Sequence, residues 1–155
     1  ELKVIPVGQG INWPDTDILK SNHFTVIQGH YNNLLKMLSK NRFHYFPRGL
    51  HEPWSEIQDN HLFIVEKNIA LKYHSPIFFF VNKANTRLND RLNLGLTKLI
   101  KSGEFNVFFT RHPMTSDILD KVNLKSRTIF ELANPLISKE TQALVDDKNL
   151  WLEFQ

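Results

Sequence analysis

No cysteine occurs among the 155 residues, which removes disulfides, thiol nucleophiles and thiolate metal sites together. Long apolar runs are missing as well. The longest, Ile77-Phe78-Phe79-Phe80-Val81, falls far short of the roughly 20 residues that cross a bilayer and reads as a buried strand. Basic residues are scattered: the formal charge is +3, yet no stretch has the density of a nucleic-acid or anionic-membrane patch. A solvated, mildly basic surface is the expectation, and no nucleic-acid partner. There is no internal repeat and no low-complexity linker.

The motifs of common enzymes are missing too. His51-Glu52 begins like a zinc-protease helix, but no His stands three residues after Glu52, and Pro53 interrupts the would-be helix. None of the seven histidines forms a close pair at helix or hairpin spacing, so surface or capping roles are expected rather than a metal site. There is no Gly-x-Ser-x-Gly elbow and no phosphate-binding loop. Gly8-Gln9-Gly10 lacks the third glycine of a dinucleotide fingerprint. No cofactor is expected.

What is present is globular: 41% of residues are hydrophobic, 23% charged, and 12 are Phe, which is ample for a core. The length suits one ordinary domain. The first half alternates strand and helix signals. Strands are predicted at Leu2 to Val7, Phe24 to Gln28 and Phe43 to Phe46, with helices from Pro14 to about Ser21 and from Tyr31 to Ser39 between them. This β-α-β-α-β order argues for an α/β fold with a parallel sheet covered by helices. Farther on, Leu62 to Glu66 and Ile69 to Tyr73 suggest a hairpin around Lys67-Asn68. Ile77 to Lys83 has the strongest strand pattern of the chain. An amphipathic helix follows through Leu88, Leu92, Leu96, Leu99 and Ile100 and stops at Gly103. Short helices at Glu104 to Arg111 and Thr115 to Val122 and a strand at Arg127 to Leu132 complete the readable part.

Two clusters could carry function. Gln9-Gly10-Ile11-Asn12-Trp13-Pro14-Asp15-Thr16 follows a strand end and opens a helix, where ligands of parallel sheets sit and where unpaired N–H groups meet anions. Equally, it is a plain strand-to-helix turn with Asp15 or Thr16 as cap and Trp13 in the core. Phe46-Pro47-Arg48-Gly49-Leu50-His51-Glu52-Pro53-Trp54 follows the third strand on the same sheet edge. Its Arg48 suits a carboxylate or phosphate, with Glu52 orienting it or accepting from an ammonium. The plainer reading is an Arg48–Glu52 surface pair worth little.

Three stretches together resemble the type II periplasmic binding proteins, in the extracellular solute-binding group related to polar amino-acid receptors. Leu2 to Gly10 is similar to the strand and glycine turn that begin the second lobe of that family. Lys40-Asn41-Arg42-Phe43-His44-Tyr45-Phe46 is similar to its strand leading back to the cleft. Ile77 to Phe109, with Asn82-Lys83-Ala84-Asn85 before the helix and Ser102-Gly103-Glu104-Phe105 after it, is similar to its closing segment.

The resemblance implies the solute-binding component of an ABC-type transporter, without chemistry on the ligand. It implies a periplasmic or extracellular location, a small-molecule solute and an ABC-type membrane permease as partners. Residues 1–75 would form the second lobe, and residues 76–155 the hinge return, the closing helices of the first lobe and a C-terminal extension. The N-terminal part of the first lobe would be absent, leaving Ile77 to Val81 unpaired and the chain prone to dimerise or swap. Gln9, Gly10, Trp13, Thr16, Tyr31, Arg48, Gly49 and Glu52 would bind the solute. The family's amino-group-binding Asp falls at Gly49, which favours a ligand with an anionic or polar group near Arg48. Two other readings use the same residues: a sensor or enzyme on this fold, with Glu52 as the acid, or an interaction domain in which Trp13 and Trp54 are packed core.

Overall fold

The computed structural model describes residues 1–58 and 60–151. The chain is mixed α/β, with short parallel strand pairs and helices, and it divides into two compact units. One comprises Glu1–His74 and Ser126–Ser138; the other comprises Ser75–Lys125 and the chain from Lys139 onward.

The first unit opens with β1 (Val7–Gly10), α1 (Pro14–Ser21), β2 (Val26–Gly29) and α2 (Tyr31–Ser39). β1 and β2 are parallel, in register from Val7 opposite Val26 to Gly10 opposite Gly29. The segment 43–46 lies along the other edge of β1. It is joined by a single parallel bridge between Val7 and Tyr45, with Gly8 N donating to Tyr45 O at 2.9 Å and His44 N to Pro6 O at 2.9 Å. The order is therefore β2, β1, then 43–46.

Successive residues of a strand face opposite sides of a sheet. Val7 is fully buried with Ile18 and Leu19 of α1, Phe24 and Leu132. Gly8 faces the other side, where a Cβ would stand 2.2 Å from the buried Phe43 ring. Gly29 shares that side with Gly10, its register partner, and a Cβ on it would meet Met37 and Leu34 of α2. Thus α1 and α2 cover opposite faces, as right-handed crossovers on either side of β1 require.

The same unit holds α3 (Pro53–Ile57) and a second parallel pair, β3 (Ile69–Lys72) with β4 (Thr128–Glu131). Leu71, Tyr73 and Leu132 from this pair pack on the Val7 core. Asn22 fastens the chain after β4 with two hydrogen bonds, donating to Ala133 O at 2.7 Å and accepting from Ala133 N at 3.1 Å.

The second unit contains α4 (Thr86–Lys101), α5 (Glu104–Arg111), α6 (Pro113–Val122) and α7 (Lys139–Gln142). The Asn85 side chain caps α4 by accepting from Leu88 N at 3.1 Å. Gly103 turns the chain out of that helix at φ 76°, a conformation natural to glycine. Among the described residues of this unit, Val122 and Thr141 alone are buried. No described helix is long and apolar enough to cross a membrane.

Four expected strands differ. Phe43 to Phe46 does not form a strand and meets β1 only through the bridge between Val7 and Tyr45. Leu2–Val4 is a single 3-10 turn, and pairing starts at Val7, immediately after Pro6, which has no N–H to give. The hairpin around Lys67-Asn68 does not form. Glu66 instead accepts from the N–H groups of Asn68 and Ile69, both at 2.7 Å, and β3 takes a distant parallel partner, β4. Ile77 to Lys83 is not part of a sheet: no described residue pairs with Ile77 to Val81, and Ile77 and Phe80 are 93% and 96% exposed. An apolar run signals a need for cover, but the cover must come from other residues, and here Ile77 and Phe80 receive almost none.

Candidate functional site

Three turns, two after the parallel strands β1 and β2 and one after the bridged segment 43–46, converge on the Arg48 guanidinium. The first turn sets Trp13. Thr16 and Gln9 are each 2% exposed and serve this turn: Thr16 Oγ1 donates to Gly10 O at 2.8 Å, and Gln9 Oε1 accepts from Gly10 N at 3.1 Å. Trp13 occupies the N-cap position of α1, so neither Asp15 nor Thr16 caps it; Asp15 instead accepts from the Tyr73 hydroxyl. The indole lies directly over Gly10, where a Cβ would fall 2.2 Å from the ring. Gly10 is therefore required by the close approach of the ring to the backbone.

The second turn delivers Tyr31, the first residue of α2, with its ring centroid 5.8 Å from that of Trp13. The third delivers Phe46, which stacks on Trp13 at 6.4 Å, and then Arg48 itself. The Arg48 Cζ stands 4.7 Å from the Trp13 ring centroid, 5.1 Å from Phe46 and 5.8 Å from Tyr31. Aromatic faces carry negative potential, so this three-ring setting suits a planar cation.

Two carboxylates complete the cluster. Arg48 Nε donates to Glu56 Oε2 at 2.8 Å, and Nη2 donates to Glu56 Oε1 at 2.6 Å and to Glu52 Oε1 at 2.7 Å. Glu52 Oε2 accepts from Gly49 N at 2.6 Å, and Glu56 Oε1 also accepts from Tyr31 Oη at 2.9 Å. The side chains of Arg48 and Glu56 are only 12% and 13% exposed, so this is a shielded pair rather than a loose surface contact. Burial works against the charge of Arg48, but the Glu56 hydrogen bond and the charges of Glu52 and Glu56 outweigh it and raise its pKa. Burial likewise opposes the charge of Glu56. The Arg48 and Tyr31 hydrogen bonds and the charges of Arg48 and His51 prevail, holding its carboxyl below the ordinary range. The same Glu56 hydrogen bond raises the pKa of the Tyr31 phenol.

A partly open cavity of about 150 Å³ adjoins the cluster, lined by Tyr31, Asn32, Leu35, Phe46 and Glu56. Among the described residues no group of three His, Asp or Glu side chains converges as metal ligands.

Of the residues singled out by sequence, Trp13, Tyr31, Arg48, Gly49 and Glu52 come together, while Gln9, Gly10 and Thr16 act behind them as the scaffold for Trp13. Trp54, on α3, is partly exposed and takes no part in the ring cluster. Glu56 and Phe46 were not among the expected ligand contacts. Glu56 had a usable signal: Glu52 and Glu56 stand four residues apart around Pro53, which places both carboxylates on one face of a helical turn. No family profile, curated protein or solved structure matches the chain.

Proposed function

We propose that the first unit is a non-catalytic module for binding a small polar solute, of the type II periplasmic binding protein kind, and that a longer receptor containing it hands the solute to an ABC-type permease outside the cytoplasm. The observation that carries the reading is the convergence of Trp13, Tyr31 and Arg48 from the carboxyl ends of the two parallel strands β1 and β2 and of the bridged segment 43–46, in the order β2, β1, 43–46. In open parallel sheets ligands bind outside the carboxyl ends, where the strand order reverses, and that point here lies between β1 and 43–46. The adjoining cavity has apolar and aromatic walls and few polar groups, the composition of a small-ligand site. Arg48 is committed to Glu52 and Glu56, so an anionic solute loses the anchor expected for it, and its part here is to hold the rings and carboxylates in place.

The test is a thermal-shift screen of the chain against amino acids, organic acids, amines, sugars and short peptides. A true ligand stabilises by mass action, about 2.7 kcal/mol at a hundredfold excess over its Kd. The expected result is a concentration-dependent hit that is lost in Trp13→Ala. A panel with no hit overturns the reading.

A further inference from the structure

We infer that the cavity beside Arg48 takes a small organic cation, a primary ammonium group carrying a short apolar tail. This rests on the solute-binding reading and names its ligand class. The charge balance of the cluster comes first. One guanidinium faces two carboxylates, so Arg48, Glu52 and Glu56 together retain a net negative charge, which the neighbouring His51 leaves uncompensated in its neutral form. Of these three groups it is Glu56 that lines the cavity.

The lone pairs come second. Glu56 Oε1 accepts from both Tyr31 and Arg48, whereas Oε2 accepts from Arg48 Nε alone among the described residues. A carboxylate oxygen accepts two hydrogen bonds, so Oε2 can take one more. An ammonium N–H supplies it, and a carboxylate or phosphate ligand would be repelled by it. Asn32, also on the cavity wall, makes no side-chain hydrogen bond among the described residues and can accept a second N–H through its carbonyl.

The walls come third. Tyr31 and Phe46 both line the cavity, and each ring already lies within cation–π distance of the Arg48 guanidinium, so the wall is one that tolerates a cation. Leu35 and the rest of Phe46 give an apolar surface for a tail of a few methylenes. A volume of about 150 Å³ admits such a molecule.

The experiment is calorimetric titration and thermal shift of the intact chain with n-butylammonium, n-butanoate and n-butanol, which share a tail and differ in charge. The expected result is saturable binding of n-butylammonium in roughly the millimolar range, with n-butanoate and n-butanol weaker by about tenfold or more. Glu56→Gln should weaken n-butylammonium by about tenfold or more. Because that change also disturbs Arg48, Leu35→Trp is the second variant: it fills the cavity, leaves every ion pair in place, and should abolish binding while circular dichroism shows a folded chain. Equal or tighter binding of n-butanoate overturns the inference, as does n-butylammonium binding that survives Leu35→Trp. If n-butylammonium fails while another compound of the wider screen stabilises the chain, the cation inference falls and the solute-binding reading stands; if nothing binds, both fall.

Discussion

Glu56 grips Arg48 through both carboxylate oxygens, at 2.8 Å from Nε and 2.6 Å from Nη2, while the three rings of Trp13, Phe46 and Tyr31 pack around the same guanidinium. The planar fork of arginine fits this arrangement, and lysine would keep the charge but lose both the paired hydrogen bonds and the stacking. The cluster ties three loops together at one sheet edge, so its members should contribute unequally to stability.

Glu56→Gln should lower the unfolding free energy by about 2 kcal/mol, and Glu52→Gln, whose side chain is more exposed, by about 1 kcal/mol, both measured by urea unfolding. The folded carboxyl of Glu56 titrates below its ordinary 4.5. Its stabilisation is therefore fully present above that pH and is lost as pH falls through the lowered folded value. The gap between the wild type and Glu56→Gln should stay constant near neutrality and close in acid. A gap that persists once the carboxylates are protonated would mean that the pair does not stabilise through charge.

Gly10→Ala should displace the Trp13 indole, because the added Cβ would stand 2.2 Å from the ring. The expected cost is about 2 kcal/mol, in the range of overpacking changes. Tryptophan emission should shift toward that of a more hydrated indole, and the shift should be absent in a Trp13→Phe background. Unchanged emission in Gly10→Ala would show that the ring does not rest on this glycine in solution.

All three tyrosines should ionise late. Tyr31 is raised by its hydrogen bond to Glu56, Tyr45 is pushed up to about 12 by burial, and Tyr73 is raised by burial and by its hydrogen bond to Asp15. A phenol whose folded pKa lies above its unfolded value of 10.0 adds stability below that pH, and this stability is lost as pH rises through the folded values. Tyrosinate absorbance should therefore lag behind that of the urea-unfolded chain and appear together with alkaline unfolding. A component titrating near 10 in the folded chain would show that one of these contacts is not kept.

Phe80→Ser should leave unfolding stability within about 0.5 kcal/mol of the wild type, because the ring is 96% exposed and its replacement uncovers nothing. The same change should reduce concentration-dependent self-association in sedimentation equilibrium, since Ile77 to Phe80 offers apolar surface and unpaired backbone for a second copy to cover. A monomer at all concentrations before the change would refute the expected dimer or swap.

Much of the local architecture was legible in the residues themselves. Pro14 at the first turn of α1, the spacing of Leu34, Leu35 and Leu38 in α2, and the leucine stripe of α4 closed by Gly103 each encode an element through contacts a few residues apart, and each element forms where expected. The alternation of strand and helix also announced a parallel sheet, and the two candidate turns do meet at its edge. These features depend on backbone propensity and periodicity, which act within one turn or one strand. The pairing of β3 with β4 across more than fifty residues, the bare Ile77–Phe80 run and the capture of Arg48 by Glu56 were decided only in three dimensions. Strand partners, burial and charge neutralisation depend on which distant residues arrive at the same place, and a linear pattern carries the demand for a partner without its identity. Arg48 shows the difference plainly: the sequence put a cation at the end of a strand, and the fold supplied both the rings that surround it and the carboxylates that take its charge.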